Sequence, residues 1–354
     1  MRGKWIRSLS ECTIRKRRLQ QRQLRTFSSE GSYDVEGGRL NLPFVGIPSF
    51  AKAPIVSLLS DGRTSGEDIR RLDGADFVVL GAPFDFGTQY RPGARFGPRA
   101  IRESSTLYCF GHTHVYDHEV DTSYSYGSIV DVGDVDIVHT DTEQSHANIE
   151  SAVRHVLTRT NAIPVLLGGD HSITSASLQA FSERDPIHVV QIDAHLDFVD
   201  ERFGVRHGHG NCMRRAAEMS HVSGLSQLGI RGVSSTSKEG YETARQMGST
   251  IRSVRQCREM GTSDVVPENS RIYITIDIDG FDPSIAPGTG TPSHGGFTYY
   301  EVQDILRELC SKHKVEGIDV VEVAPAYDHA DITSQLAARV VLDTLGFIVQ
   351  RKRG

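Results

Sequence analysis

Acidic residues and histidine occur together in three short segments of this 354-residue chain, each directly after a run of apolar residues. The segments are GGDHS at 168–172, DAHLD at 193–197 and DIDGFDP at 277–283. In extended backbone, residues i, i+2 and i+4 point to the same side, so the polar side chains of one segment can face one site. Six side chains are therefore candidates for a shared site: His171, Asp193, His195, Asp197, Asp277 and Asp279.

Four carboxylates placed together repel one another, and their pKa values rise unless cations neutralise them. Two divalent metal ions would supply that charge. A ligand set rich in oxygen, with nitrogen and without thiolate, favours Mn²⁺, leaves Ni²⁺, Co²⁺ or Fe²⁺ as alternatives and disfavours a zinc–cysteine site. A solvated turn or a helix cap would explain one such segment, but not three that each follow a strand pattern. The sequence therefore predicts a centre with two metal ions.

The elements that position these segments are short strands in an α/β pattern. From Asp76 onward, β-branched runs alternate with amphipathic helical stretches, which predicts a mostly parallel sheet with helices on both faces. In such sheets ligands bind beyond the carboxyl ends of the strands, so segments distant in sequence meet there. The predicted strands cover residues 77–80, 129–132, 164–167, 188–192, 227–230, 272–278 and 318–323.

Two helix starts carry recognisable signals. Thr298 and Glu301 have the spacing of a capping box before an apolar stretch, and Pro98 suits a first helical turn. Residues 30–75 are rich in Gly, Pro, Ser and Asp, which predicts an irregular N-terminal arm. The chain shows no internal repeat and no second domain.

GGDHS, DAHLD and DIDGFDP resemble the three signature segments of the ureohydrolases, the arginase/agmatinase family, and they occur in the family's order. RPGARFGP at 91–98, APGTGTP at 286–292 and DVVEVAP at 319–325 look like its agmatinase branch. The resemblance implies a catalytic domain over residues 76–354, with a three-layer αβα fold around an eight-stranded, mostly parallel sheet. It also implies a homo-oligomer, trimeric or hexameric.

The reaction implied by this resemblance is hydrolysis of a guanidino compound to urea and an amine at two divalent metal ions. By the same resemblance, one or both metals are bound by His171, Asp193, Asp197 and Asp277, and the pair is completed by His195 and Asp279. Asp170 and Asp282 would orient the ligands without binding metal.

Three residues have catalytic roles by resemblance. Asp197 accepts a hydrogen bond from the attacking water and helps to move its proton. Glu322 holds the planar guanidinium of the substrate, a cation that a carboxylate binds in bidentate fashion. His209 contacts the substrate and moves a proton to the leaving amine. His207, two residues earlier, is the alternative, and the glycine after His209 favours His209.

The loop between Asp197 and His209 is expected to select the substrate. Arginases carry Asn two residues after the last Asp of the second segment, where it helps to hold the α-carboxylate of arginine. Val199 stands at that place here, which disfavours arginine. Agmatine lacks the carboxylate and ends in an amine that Asp200 or Glu201 could attract, so agmatine is the favoured substrate.

Other substrates remain open. Guanidinobutyrate or guanidinopropionate would suit Arg202 or Arg206, although these charges can also be solvated loop residues. Free guanidine is an alternative because Phe198, Phe203 and Met213 could shorten the pocket. A catalytically inactive regulatory relative is a further hypothesis, but such a protein would have lost ligands, and all the candidate residues are present.

The charge of the chain is distributed unevenly. Residues 1–29 hold nine Lys and Arg and a single acid, Glu11, so their net charge is +8. Because the whole chain has a net charge of −6, the rest of the chain has a net charge of −14. Arg-rich and acid-poor, with RTFSS at 25–29, this segment resembles a mitochondrial transit peptide. We expect a mitochondrial matrix protein, with the cytoplasm as second choice. A nucleic-acid-binding arm is the rival, but the acidic body offers it no second basic surface.

The overall composition, 38% hydrophobic and 24% charged, is that of a soluble globular enzyme. Uncharged apolar stretches such as 162–167 are far shorter than the roughly 20 residues that span a bilayer, so no transmembrane helix and no membrane partner are expected. The five cysteines are scattered and odd in number, which predicts a reducing compartment without disulfides.

Overall fold

The computed structural model describes residues 42–58, 66–108, 114–119, 121–233 and 236–353. Within them, eight strands form one sheet in the order β4-β1-β5-β10-β9-β6-β7-β8, and every pairing is parallel. These strands are β1 Phe77–Ala82, β4 Ile129–Asp134, β5 Ile163–Gly168, β6 Ile187–Ile192, β7 Val222–Leu228, β8 Ser249–Arg252, β9 Arg271–Asp277 and β10 Lys314–Val321. A separate antiparallel hairpin consists of β2 His114–Asp117 and β3 Thr122–Ser125.

Both faces of the sheet are buried, because the apolar side chains of each strand alternate between them. In β9, Ile274 and Ile276 belong to one core cluster, whereas Tyr273 belongs to another. In β1, Val79 packs on the first face, while Val78 packs on the opposite one. Near-continuous apolar strands of this kind are typical of a sheet that helices cover on both sides.

Helices cover the sheet on both faces. On one face, Ile332–Arg353 contacts Tyr299–Lys312 and Gly97–Ser105, and on the other Ile173–Gln179 contacts Thr142–Arg159 and Cys212–Ala217. The remaining helices are Gly66–Asp73, Lys238–Gln246 and Val254–Met260. The expected αβα architecture with an eight-stranded parallel sheet is therefore confirmed.

The predicted helix starts are confirmed. Pro98 lies in the first turn of Gly97–Ser105, where its missing N–H costs nothing. Glu301 closes a capping box by accepting a hydrogen bond from the backbone N–H of Thr298 at 2.8 Å.

Several elements differ from the sequence-based prediction. The helix Gly66–Asp73 precedes Asp76, where regular structure was expected to start. The hairpin β2–β3 and the edge strand β8 were not predicted, because each strand has only four residues. β7 begins at Val222, five residues before the predicted start at Gln227, since its first residues lack apolar character.

The described part of the N-terminal arm meets the edge of the sheet. Residues 42–58 form a short turn at Phe50–Lys52 and pair with the sheet edge through a bridge between Ile55 and Asp131 of β4. Residues 1–41, which include the predicted leader 1–29, Cys12 and part of the arm, lie outside the described residues, as does Cys109. The three described cysteines, Cys212, Cys257 and Cys310, are free thiols.

Among the described residues, one helix, Ile332–Lys352, contains an 18-residue stretch with a mean hydropathy of 1.4 and is long and apolar enough to cross a membrane by composition alone. However, 78% of its most apolar stretch is buried inside the protein, as in the core helix of a globular domain. Its side chains Val341, Leu342 and Leu345 belong to the main core cluster.

Candidate metal centre

The four central strands bring the predicted segments together. β5, β10, β9 and β6 are neighbours in the sheet, and all run in the same direction, so their carboxyl ends lie at one edge. GGDHS follows β5 and DAHLD follows β6, while DIDGFDP begins at the last residue of β9. Glu322 directly follows β10. The parallel topology therefore converts separation in sequence into proximity at the site.

The first ligand group surrounds the imidazole of His171. Its Nδ1 lies 3.1 Å from Asp193 Oδ2, 2.9 Å from Asp197 Oδ2 and 3.3 Å from Asp277 Oδ2. One ligand atom from each of these four residues lies within 4.8 Å of all the others. His171 and Asp193 are completely buried.

A second group lies beside the first and shares Asp193 with it. His195 Nδ1 is 3.0 Å from Asp279 Oδ2 and 3.6 Å from Asp193 Oδ1. Asp193, His195 and Asp279 also offer ligand atoms within 4.8 Å of one another. The two oxygens of Asp193 thus face different imidazoles, which is the arrangement of a bridging carboxylate.

The electrostatics of the cluster fit a cationic occupant. Burial raises the pKa of Asp277 well above its usual range, and the charges of Asp279 and Asp193 raise it further. The negative charge of Asp279 in turn raises the pKa of His195 far above its ordinary value. Without cations, protons on Asp277 and on the imidazoles would therefore offset the negative charge of the cluster, and divalent ions would replace those protons.

The buried ring nitrogen of His171 provides a direct test of the fit. Nε2 lies 2.9 Å from Thr275 Oγ1, but Nδ1 makes no hydrogen bond of acceptable geometry within the described residues. An imidazole nitrogen without a partner, directed at three carboxylates, is what a metal ligand with a fixed tautomer presents. The residues present therefore fit two divalent ions with oxygen and nitrogen ligands.

Hydrogen bonds hold the ligands from outside the cluster. Asp193 accepts from Gln191 Nε2 at 2.6 Å, and Asp279 accepts from the backbone N–H of Ala194 at 3.1 Å. Behind His171, Thr174 lies 3.4 Å from the Thr275 hydroxyl and donates to Asp319 at 2.9 Å. Tyr273 also donates to Asp319, at 2.8 Å. This buried network fixes the orientation of the His171 ring.

Glu322 and His209 form a pair above the metal ligands. His209 Nδ1 is 3.0 Å from Glu322 Oε1, which also accepts from the backbone N–H of His171 at 2.9 Å. Burial alone would raise the pKa of Glu322, but the hydrogen bond and charge of His209 outweigh burial and lower it. Burial opposes the protonation of His209, yet Glu322 outweighs that effect and raises the pKa of His209 to about 9. Within the described residues, Glu322 Oε2 accepts no hydrogen bond.

Two of the acidic residues adopt a left-handed backbone conformation. The φ angles are 51° at Asp197 and 63° at Glu322, a region that side chains other than glycine, asparagine and aspartate rarely occupy. Such strain is concentrated at functional sites, where surrounding contacts hold it. Here it turns both carboxylates away from the strand direction and toward the cluster.

A cavity of about 190 Å³ opens onto this cluster. Its wall contains metal-ligand candidates and His209 on the inner side, and neutral residues farther out. The residues that form it are Gln89, Tyr90, His195, Asp197, His209, Gly210, Val233, Asp277 and Thr291.

The remaining predicted residues lie in different places. Asp170 is completely buried and accepts from the backbone N–H groups of Gly87 at 2.7 Å and Ser172 at 2.9 Å. Burial and then the charge of Glu322 raise its pKa to about 7. Asp282 accepts instead from Ser284, Gly295 and Gly296, so it shapes the loop that follows the third segment.

His207 does not reach the cluster. Its ring packs against His146 at 6.0 Å and borders a different groove, between the helices Thr142–Arg159 and Cys212–Ala217. The choice of His209 over His207 therefore agrees with the geometry.

The loop residues proposed to shorten the pocket lie elsewhere. Phe198 and Met213 are 1% and 0% exposed and belong to a core cluster, whereas Phe203 is fully exposed. The expectation that they narrow the site was wrong, because apolar side chains in this loop pack inward on the sheet or outward into solvent. Asp200 also lies away from the cavity wall, in ion pairs with Arg206 at 3.0 Å and Arg215 at 2.5 Å.

Sequence reasoning missed two residues near the centre. The thiol of Cys212 lies 3.7 Å from Asp197 Oδ2, and burial raises its pKa well above the usual range, so it remains protonated. Arg231 donates to the backbone carbonyls of Asp279 at 2.6 Å and Ser293 at 2.7 Å, and it thereby holds the third segment in place. Neither residue belongs to a short motif that would have singled it out.

Comparisons with known proteins identify the family. Residues 75–346 match the sequence profile of the Arginase family. Proclavaminate amidinohydrolase from Streptomyces clavuligerus is 38% identical over 283 residues, which cover 77% of this chain and 88% of that protein. A solved structure of that amidinohydrolase superposes with a TM-score of 0.74 at 33% identity, covering 87% of this chain and 99% of that one.

Two mitochondrial enzymes are similarly related. The agmatinase of Gallus gallus is 32% identical over 351 residues, covering 94% of this chain and 97% of that enzyme. The guanidino acid hydrolase of Homo sapiens is 35% identical over 282 residues, covering 77% of this chain and 78% of that enzyme. From the profile, these identities and the shared fold, we conclude that the chain belongs to the arginase family and is a hydrolase that acts on amidino groups.

Proposed function

We propose that this protein hydrolyses a guanidino compound to urea and an amine at a centre of two divalent metal ions. The observation that carries the proposal is the pair of ligand groups joined through Asp193, at a cavity lined by His209, which in turn pairs with the buried Glu322. A single structural metal would not need a second group of ligands or an open cavity.

The metal ions would be held by the six candidate ligands, with Mn²⁺ expected first and Ni²⁺ or Co²⁺ as alternatives. His171, Asp197 and Asp277 would serve one position, His195 and Asp279 the other, and Asp193 both. When bound, two such ions lower the pKa of water so that it can attack at neutral pH.

The protein's own groups would bind the substrate and move protons. Glu322, which pairs with His209 of the cavity wall, would bind the guanidinium through a charge-assisted hydrogen bond. Asp197, which lines the cavity, would accept the proton of the attacking water. His209 lies beside both groups and would carry a proton to the leaving amine. A pKa of about 9 makes His209 a proton donor at neutral pH.

Agmatine is the substrate that the sequence favours over arginine. Val199 offers no side-chain hydrogen bond to an α-carboxylate, and bringing that charge into a site without a partner costs several kcal/mol. Its main-chain donor is also committed, since the N–H of Val199 donates to the carbonyl of Gly210 at 3.1 Å. Hydrolysis of agmatine would give putrescine and urea, as in polyamine biosynthesis.

Guanidino acids such as guanidinobutyrate or guanidinopropionate are the second candidate. One observation favours them: Arg202 donates a hydrogen bond to Gln89, which lines the cavity, whereas Asp200 is held by arginines. Two relatives named above differ in the same way, since one is named an agmatinase and the other a guanidino acid hydrolase.

A urea-release assay on one preparation tests the reaction. The panel should contain agmatine, arginine, 4-guanidinobutyrate, 3-guanidinopropionate and guanidine, each after reconstitution with Mn²⁺ and with Ni²⁺. We expect urea from agmatine or a guanidino acid, with arginine at least about a hundredfold poorer in kcat/KM, a difference of roughly 2.7 kcal/mol. Urea from none of the five would refute the proposal and favour an inactive regulatory relative.

The cellular setting is part of the proposal. The basic leader 1–29 and the mitochondrial names of two relatives support import into the mitochondrial matrix, while the Streptomyces relative is bacterial. Assembly into a trimer or hexamer stays a prediction from the family resemblance.

A further inference from the structure

The outer wall of the cavity carries no acidic side chain among the residues that line it. Beyond the metal-ligand candidates and His209, the wall consists of Gln89, Tyr90, Gly210, Val233 and Thr291, all of them uncharged. A substrate whose guanidinium lies at Glu322 would place its other end along this wall. An ammonium group at that end of the substrate would meet no carboxylate among the described residues of the outer wall. A carboxylate at the same end could instead pair with a nearby cation.

Arg202 is a cation next to this wall on the side of Gln89, whereas Arg91 lies over the ring of Tyr90, 5.6 Å from its centroid. The guanidinium of Arg202 donates through Nη1 to the side-chain oxygen of Gln89. The backbone nitrogen of Gln89 in turn lies 3.3 Å from His209 Nε2. One short chain of contacts thus joins Arg202 to the residue that would protonate the leaving amine.

A tight turn fixes the backbone of Arg202. Its N–H and C=O exchange hydrogen bonds of 2.9 Å with those of Val205. The two central residues, Phe203 and Gly204, have φ angles of 53° and 83°, as in a type I′ turn. Glu201 adds a hydrogen bond to the backbone N–H of Gly204 at 3.1 Å. The turn therefore holds Arg202 in place before substrate arrives, which lowers the entropy cost of binding.

We propose that Arg202 binds the terminal carboxylate of a guanidino acid and thereby favours the second candidate substrate class, the guanidino acids, over agmatine. This inference rests on the proposed function, because it concerns the distal end of the same substrate. Arginine is suited to the role, since its planar guanidinium can meet both oxygens of a carboxylate. Gln89 is a positioning residue that holds Arg202 against the cavity wall.

The neighbouring Arg206 provides the contrast. It lies in the same loop but pairs with Asp200 at 3.0 Å and with Glu218 at 3.3 Å. Its guanidinium is therefore held at two carboxylates of the surface, whereas that of Arg202 is held at Gln89. The selective cation of the loop is Arg202.

The test compares kcat/KM for 4-guanidinobutyrate and agmatine in the metal-loaded full chain, in Arg202→Gln and in the matched control Arg206→Gln. Arg202→Gln should lower kcat/KM for 4-guanidinobutyrate about ten- to a hundredfold, the range of a lost charged hydrogen bond, chiefly through a higher KM. For agmatine the same variant should raise kcat/KM, because a positive charge near the amine is removed. Arg202→Lys should recover part of the activity on the acid.

The outcomes distinguish a failure of the role assigned to Arg202 from a failure of the proposed reaction. Arg206→Gln should keep the wild-type ratio of the two kcat/KM values. A ratio that Arg202→Gln leaves unchanged, while urea is still produced, would overturn the role of Arg202 and leave the reaction intact. Absence of urea from both compounds in the wild-type protein would overturn the reaction and this inference together.

Discussion

Asp277 is a buried ligand candidate of the metal centre, at the end of β9 and close to His171. Replacing it by alanine removes a ligand and leaves the imidazole facing two carboxylates instead of three. We expect Asp277→Ala to lose bound metal and urea production together. Elemental analysis of the purified variant, beside the exposed-helix control Asp304→Ala, measures this. An Asp277→Ala protein with two ions per chain and full activity would contradict the assignment.

Substitutions of Glu322 and His209 are expected to have different kinetic effects, although the two side chains are in contact. His209→Ala should lower kcat by about 10²–10⁴-fold with little change in metal content, because it removes proton transfer alone. Glu322→Gln should lower kcat and also raise KM, because it removes the charge that meets the guanidinium. Steady-state kinetics with metal analysis distinguishes the two. Loss of metal in His209→Ala would show that this residue supports the ligands instead.

At the scale of single residues, the sequence identifies the side chains that meet at the centre, but it does not identify the cavity wall. Asp193, His195 and Asp197 could be chosen because their spacing fits extended backbone after an apolar strand. Gln89 and Cys212 have no such signal, since their contacts depend on how a distant loop packs over the site. The left-handed conformation of Glu322 is likewise set by its surroundings, because glutamate has no preference for it.

Among the elements, the central strands can be predicted from their composition, whereas the edge strand β8 cannot. β5, β6, β9 and β10 are buried along nearly their whole length, so apolar residues recur in all four strands. The edge strand β8 reads Ser-Thr-Ile-Arg, which resembles a loop until β7 is seen beside it. The elements that carry the site are thus the ones that sequence patterns define best.

Strand β6 contains a titratable group away from the metal centre, His188. Burial, and then the neighbouring His313, lower the pKa of His188 from 6.5 to about 4. Ser226 donates its hydroxyl to the carbonyl of Val265 and accepts from His188 Nε2 at 2.8 Å, so the ring is neutral with its proton on Nε2. In the paired strand β7, Gly224 leaves room for the ring, because a Cβ there would lie 3.1 Å from it.

The sign of the pH effect follows from that lowered pKa. Below pH 6.5 the unfolded chain binds a proton at this residue that the folded chain does not. This contribution to the free energy of unfolding is therefore lost as the pH falls from 6.5 toward about 4. At about pH 5 the titration of His188 should have lowered the free energy of unfolding by about 2 kcal/mol relative to neutral pH.

Replacement by glutamine removes this titration. Between about pH 7.5 and about pH 5, His188→Gln should lose less stability than the wild-type protein, since it has no proton to gain at this position. Denaturant unfolding of both proteins at the two pH values gives the comparison, and the metal ligands, common to both, cancel in the difference. Equal losses in the two proteins would mean that His188 does not titrate in this range.

For the whole molecule, the basic segment 1–29 predicts processing. Import should remove it, because its composition suits a transit peptide and contrasts with the acidic body. N-terminal sequencing of the protein purified from its own cells should find a start at about residues 26–32. Recovery of intact Met1 from native material would contradict this, whereas recombinant protein from a bacterial host would serve as the uncleaved reference.

The shared Asp193 has a consequence for how the protein acquires its metals. One oxygen faces His171 at 3.1 Å and the other faces His195 at 3.6 Å. An ion at either position fixes the plane of this carboxylate and at the same time adds positive charge next to the vacant neighbour. A fixed carboxylate plane would prepare the second position for an ion, whereas the added positive charge would repel that ion. The two binding equilibria would therefore be thermodynamically linked. A titration with metal should accordingly follow a sigmoidal or a biphasic isotherm and depart from the sum of two independent hyperbolas.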